Sequence, residues 1–392
     1  MKSVGLDELR AKNPYSRRSK KIGAAIKQLI VLVISICLSA FLSTTASAQH
    51  YTQTNLVSNQ PGVAPTTDPN LQNSWGLVHG PSTPWWVSNN AGGTATLYTG
   101  AGVIVPLVVT IPNAPSQPAP GSPTGVMFNG SPTDFLLAPG KPAIFLWVTE
   151  DGTVQGWNPG VQPTTAVIEV DNSQVPNPAN GAVYKGATIA EINGEKFILA
   201  ANFRSARVDV FDTDFKQQNS FRGKFDDDSI PQGFAPFNVQ GYGPNIYVTY
   251  AQQDAAKHDP VGGAGLGFVD VFSSGGRLLA RLQHGDWFNA PWGVVLTPAD
   301  FGEFSHTLLV GNFRGGTIAA FNPLTGQFLG NVLNPDGSTL NIDGLWALGF
   351  GNGGNSGPGN TLFFTAGPDN ETNGLFGNLT PIASELSEDD EH

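Results

Sequence analysis

Three features of the 392-residue sequence predict an all-β chain folded as a six-bladed β-propeller of four-stranded antiparallel blades. The first is composition: 48 glycines and 30 prolines make up about a fifth of the chain, while 40% of residues are hydrophobic. That is enough apolar material for a packed core. Long helices are excluded, because each interior Gly costs about 1 kcal/mol and each Pro about 3. The second feature is a segment that recurs six times. The third is a set of short strands following every copy, and such periodic units point to a repeat architecture.

Each copy is a turn, a small residue and an apolar strand. The six read Asn73-Ser-Trp-Gly-Leu-Val, Ser122-Pro-Thr-Gly-Val-Met, Tyr184-Lys-Gly-Ala-Thr-Ile, Ala235-Pro-Phe-Asn-Val-Gln, Ala290-Pro-Trp-Gly-Val-Val and Gly344-Leu-Trp-Ala-Leu-Gly. The small residues Gly76, Gly125, Gly186, Asn238, Gly293 and Ala347 stand 49, 61, 52, 55 and 54 residues apart. Second strands are expected at 85–88, 145–149, 197–201, 246–250, 308–311 and 362–365. Third strands follow at 95–98, 154–157, 208–211, 268–272, 318–321 and 375–379. Weaker fourth strands fall at 107–111, 166–170, 220–225, 278–282 and 328–332. Runs such as Val208-Asp-Val-Phe and Val269-Asp-Val-Phe alternate as half-buried strands do. Four strands per unit, six times over, is what a propeller requires. A β-helix would need a far shorter rung, and a sandwich does not generate six similar units. The sixth unit lacks an outer strand after residue 379, and Tyr51–Ser58 has no unit of its own. It is therefore expected to close the last blade and remove a free edge.

The ends divide the chain into three segments: a signal peptide at 1–48, the propeller at 49–383 and an acidic disordered tail at 384–392. Arg17, Arg18, Lys20, Lys21 and Lys27 precede a 14-residue apolar run at 29–42, and Ala46-Ser47-Ala48 is a small-x-small cleavage site. The run is shorter than the roughly 17–25 residues of a spanning helix, so no membrane span is expected in the mature chain. Export to the periplasm or the extracellular medium is the expectation. Cleavage removes eight Lys/Arg, two Asp/Glu and the single cysteine, Cys37, taking the formal charge from −11 to about −17. No disulfide can then staple the fold. So acidic a body repels phosphate backbones, which excludes nucleic acid as a partner.

The Pro-Trp-Gly start at Pro291, Thr149-Glu150-Asp151-Gly152-Thr153-Val154, and the repeated Asn202-Phe203-Arg204 and Asn312-Phe313-Arg314 resemble an uncharacterised family of secreted bacterial six-bladed propellers. That family is similar in architecture to NHL-repeat and gluconolactonase-type propellers. The resemblance runs from Tyr51 to about Pro381. It implies the fold and assigns no reaction.

In antiparallel blades the start of the innermost strand and the end of the second share one face, where specificity loops gather. Inner-strand starts bring Asn73, Ser122, Lys185, Asn238, Asn289 and Asp343 to that face. Second-strand ends bring Asn89, Asn90, Glu150, Asn202, Tyr250 and Asn312. Asn73, Asn89, Glu150, Asn202, Arg204, Tyr250, Asn289, Asn312 and Arg314 are the candidate ligand-binding residues. Oxygen donors suit Ca²⁺, which takes six to eight of them. Gluconolactonase-type propellers hold a divalent metal at this place, and the resemblance implies Glu150, Asn202, Asn312 and Asp343 as its ligands. The Glu usual at the first inner strand is absent, since Asn73-Ser74-Trp75 stands there. Asn and Asp at such positions also cap tight turns. Residues 252–267, with Asp254, Lys257, His258 and Asp259, form an insertion with the character of a lid. The equivalent aromatics Trp75, Phe237, Trp292 and Trp346 are expected to pack between blades.

The expected function is binding of a small molecule or protein at this loop face and channel mouth by a monomer. The alternatives are a Ca²⁺-dependent lactonase-like hydrolase and a structural, surface-associated protein.

Overall fold

Each repeat folds into one blade of a computed structural model that describes residues 49–386. Blade I comprises Ser74–Val78, Trp85–Asn89, Thr94–Tyr98 and Ile104–Thr110. Blade II comprises Pro123–Phe128, Phe145–Thr149, Thr153–Trp157 and Val167–Asp171. Blade III is Tyr184–Ile192, Glu195–Asn202 and Arg207–Phe211. Blade IV is Phe234–Tyr242, Asn245–Gln253, Gly267–Ser273 and Leu278–Arg281, and blade V is Pro291–Leu296, Leu308–Asn312, Ile318–Phe321 and Phe328–Asn331. Blade VI is Leu345–Phe350, Leu362–Ala366 and Leu375–Pro381, completed by Tyr51–Ser58 from the other end of the chain. That closing strand runs antiparallel to the third, with Tyr51 opposite Pro381 and Ser58 opposite Leu375.

The expected fourth strand at 220–225 does not form. A 3-10 turn, Asn219–Phe221, takes its place, Phe221 packs on Phe197 at 5.5 Å, and Phe225 turns into the seam with blade IV against Phe272. Packing both rings inward, Phe225 buried and Phe221 half-buried, outweighs pairing an edge.

The inner strands contact one another in sequence and close the ring, Leu345–Phe350 meeting Ser74–Val78. The repeat's small residue sits at this close approach. A Cβ on Gly76 would lie 2.4 Å from the Thr124 carbonyl oxygen, and one on Gly293 2.6 Å from that of Trp346. Beside each marker the ladder skips register, a β-bulge in all six blades. Bulges re-aim side chains. Here the bulge residues are Trp75, Thr124, Lys185, Phe237, Trp292 and Trp346, one from each blade.

Apolar residues fill six seams, one between each pair of neighbouring blades, among the described residues. A seventh cluster closes the axis: Trp75 stacks on Trp346 at 3.6 Å, Phe313 stacks on Trp346 at 3.8 Å, and Trp292 meets Trp346 edge-on at 5.8 Å. The equivalent aromatics thus pack against one another across the ring. Each buried ring of this size contributes roughly 1.5–3 kcal/mol.

The expected signal peptide, residues 1–48, and tail residues 387–392 lie outside the described residues. Glu385 sits in the turn Ala383–Glu385 and accepts from the His50 backbone N–H at 2.8 Å, tying the chain's end to the closing strand. Among the described residues no helix is long and apolar enough to cross a membrane.

Candidate functional site

Two consecutive residues at each second-strand end face in different directions, because side chains alternate along a strand. In four blades the first of the pair caps the following turn. Asn89 donates to Thr94 and Thr96, Thr149 bonds Thr153, and Asn202 donates to Asp209 at 2.8 Å. Asn312 accepts from the Asn289 N–H at 2.9 Å and donates to Thr317. Tyr250 holds the same register position and points into the seam, its hydroxyl donating to the Phe225 carbonyl. Asn89, Asn202, Tyr250 and Asn312, expected at the ligand, are therefore buried in turns and seams. The second residue of each pair faces the axis: Asn90, Glu150, Phe203, Ala251, Phe313 and Gly367.

The polar members of that ring form one network with the bulge residue of blade III. Lys185 is fully buried, its ammonium 5.2 Å from the Trp75 ring centroid, and it donates to Glu150 and, at 3.1 Å, to Asp259. Asn90 donates to the other Glu150 oxygen at 2.8 Å. Asn73 donates to Asn90 at 3.2 Å and to Glu371 at 3.0 Å. Two carboxylates are thus joined through two amides, with a buried cation beneath one of them.

Asp259 arrives from the blade IV insertion. Asp254 accepts from the backbone N–H groups of His258 at 2.8 Å and Asp259 at 3.3 Å, folding 254–259 into a tight turn, and Pro260–Val261 pairs back on the second strand. The insertion crosses the mouth, reaching Lys185 of blade III through Asp259. It also touches blade V: the Gly263 N–H donates to Asn289 at 2.8 Å, and Gly262 lies against the Arg314 side chain. Arg314 itself lies over the Phe313 ring at 4.4 Å. Arg204 is turned aside, donating to the Gly181 carbonyl at 3.1 Å.

Electrostatics follow from these contacts. Burial alone would lower the Lys185 pKa, but Glu150 and Asp259 more than reverse this and raise it above its ordinary value. The His258 hydrogen bond, joined by Lys185, holds the Asp259 carboxyl well below the usual range. Burial raises Glu371 against the Asn73 hydrogen bond, and Glu150 adds repulsion. Burial also pushes Asp151, beside Glu150, up to about 6. Glu371 lies on a backbone of three consecutive left-handed residues, Asp369, Asn370 and Glu371, with φ of 57°, 55° and 67°. Such conformations cost about 1–3 kcal/mol each and persist where surrounding bonds over-determine them. Here Asp343 accepts the Asp369 N–H at 2.8 Å, and Gln60 and Asn373 both donate to the Asp369 carboxylate.

Ligand atoms of Glu150, His258 and Asp259 lie within 4.8 Å of one another, a spacing that suits a cation. Both carboxylates already share the Lys185 ammonium. Of the implied Ca²⁺ ligands, Asn202 and Asn312 cap turns and Asp343 holds the blade VI loop, so the residues present do not fit a calcium ion.

Lys185 was visible in the repeat as the single charge at a position otherwise held by Trp, Phe or Thr. Glu371 follows the sixth second strand, and carrying the repeat through that blade would have reached its loop.

No family model matches the chain. It is 31% identical over 336 residues to uncharacterized protein R648 of Acanthamoeba polyphaga mimivirus, covering 83% of this chain and 78% of that protein. It is 31% identical over 338 residues to uncharacterized protein L690 of the same virus, covering 83% and 84%. Among solved structures, a streptogramin B lyase aligns with a TM-score of 0.47 and 10% identity, over 85% of this chain and 98% of that one. The two relatives are viral proteins, whereas the sequence resemblance pointed to bacteria. At this identity and coverage the chain belongs to the family of R648 and L690.

Proposed function

We propose that this protein is an exported binding propeller, acting as a monomer, whose recognition site is the charged mouth beneath the blade IV insertion. The observation that carries the reading is Lys185. A fully buried ammonium stands at the axis, paired with a carboxylate of its neighbouring blade and with one supplied by a loop that crosses the mouth. Asp259 is 60% exposed and Lys185 not at all, so the insertion covers the cation from the solvent side. Displacing the insertion frees Lys185, Glu150 and Arg314 from its contacts, and Glu371 is joined to Glu150 through Asn73 and Asn90. That set carries both signs of charge and suits a small ligand that does the same, such as an amino acid. Export follows from the basic n-region, the apolar run at 29–42 and Ala46-Ser47-Ala48.

A thermal-shift screen of amino acids, polyamines and small carboxylates tests the reading. A zwitterionic member should raise the melting temperature of the wild type. The shift should disappear in Glu371→Gln combined with Arg314→Ala. No shift with any member, or an equal shift in the double variant, would overturn it.

A further inference from the structure

The opposite end of the same channel is built from different chemistry. Each inner strand is terminal in its sheet, bonded to the second strand on one edge and turned to the axis with the other. Such an edge presents a row of N–H and C=O groups without ladder partners. Towards the ends of the six inner strands these edges enclose a cavity of about 480 Å³, to which every blade contributes. It narrows to a space of about 30 Å³ at the level of Gly76, Gly125, Asn238 and Gly293. The aromatic cluster closes the axis beyond, so the cavity is a blind funnel.

Among the described residues no Asp, Glu, Lys or Arg lines the funnel or its narrow end. Its polar side chains are engaged, with one exception. His79 bonds the carbonyls of Gly80 and Phe350, Tyr242 donates to Val294 at 3.0 Å, and Thr188 accepts from the Gly241 N–H at 3.3 Å. Gln240 lines both the wide and the narrow part, is half-buried, and its carboxamide has no partner among the described residues.

We propose that the funnel is a second binding site, for an uncharged polyhydroxylated molecule of sugar size, with Gln240 as its selecting residue. A charged ligand would lose its hydration there without a counter-charge. A wholly apolar one would bury the strand-edge groups unpaired, which costs about 1–3 kcal/mol for each such group. A neutral molecule rich in hydroxyls answers both donors and acceptors, while Leu77, Phe128 and Phe350 cover its C–H faces. The volume lies within the range of about 300–1,000 Å³ that small-molecule sites occupy.

Saturation-transfer NMR and calorimetry on the full chain, with glucose and inositol as neutral probes and gluconate and protonated glucosamine as charged ones, test the proposal. A neutral probe should bind at least about tenfold more tightly than its charged counterparts. Gln240→Leu should weaken that binding by about tenfold, the size of one lost hydrogen bond. Glu371→Gln should leave it unchanged, which separates this site from the charged mouth. If neither neutral probe binds, if charged and neutral probes bind alike, or if Gln240→Leu binds as the wild type does, the proposal fails.

Discussion

The two mouths of one channel are made by the same six strands and differ in almost every physical respect. At the strand starts, bulges turn side chains to the axis, and one of the six is a lysine that draws carboxylates from blade II and from the insertion. Towards the strand ends, among the described residues, no ionisable acid or base other than His79 and Tyr242 lines the cavity, and backbone edges dominate. The difference teaches that a propeller's inner strand can offer either side chains or backbone to a ligand. A single register skip decides which.

The largest effect that would sharpen this contrast is at Lys185. Lys185→Met leaves Glu150 facing an apolar plug without its cation. Removing one partner of a buried pair costs about 3–5 kcal/mol. Urea denaturation should show a loss of that order, against less than about 1 kcal/mol for Gln240→Leu at the other mouth. Equal losses would erase the distinction.

Next comes the close approach that holds the two mouths in register. Gly76→Ala places a methyl against the Thr124 carbonyl and the Val126 amide at 2.4 and 2.9 Å. Both are backbone atoms that cannot step aside, so a loss of about 1–3 kcal/mol is expected. Wild-type stability in this variant would show that the inner ring is looser than described.

The roof over the charged mouth should yield more easily. Asp254→Ala removes the acceptor that folds the turn before Asp259. A loss of about 1 kcal/mol is expected from the missing hydrogen bonds. Limited proteolysis should cut within 252–267 faster than in the wild type, and unchanged cleavage would show that the insertion is held by other contacts.

The smallest effect is in pH dependence, and its sign is specific. Asp151 binds its proton more tightly when folded, at about 6 against 3.8. Its contribution to stability is therefore full below pH 4 and is lost as pH rises through 6. Asp259, shifted down, contributes above its ordinary value and loses that contribution as pH falls below it. Asp151→Asn should shrink the decline between pH 4 and 6, leaving the shares of Asp270, which burial likewise pushes up to about 6, and of Glu371 and Glu169, which burial also raises. An undiminished decline would assign it to other groups.

The fold was legible because its punctuation is steric: a small residue is required wherever inner strands meet, so the repeat survives when other positions vary. The closing strand was legible from the sixth unit's missing outer strand. The blade III turn was not, since Ser220 to Phe225 has strand-like residues and only the neighbouring seam decides where its phenylalanines go. At the site, the polar face was read one residue out of phase in four blades, Tyr250 of blade IV included. Asn89, Asn202 and Asn312 look like ligands by composition, yet alternation places their side chains in turns and the next residue on the axis. The funnel left no signal, because Leu77, Phe128 and Phe350 read as core and backbone edges have no sequence at all.

The central claim is that the charged mouth is organised by a lysine and is not a metal centre. Metal analysis of the purified protein, with melting temperatures recorded across a CaCl₂ titration for wild type and Lys185→Met, tests it most directly. The account predicts a wild type free of bound divalent metal whose melting temperature is unmoved by Ca²⁺. It predicts that Lys185→Met, with Glu150 and Asp259 left facing each other, is stabilised as Ca²⁺ is added. A wild type that carries a stoichiometric divalent ion, or melts higher with Ca²⁺, would contradict it.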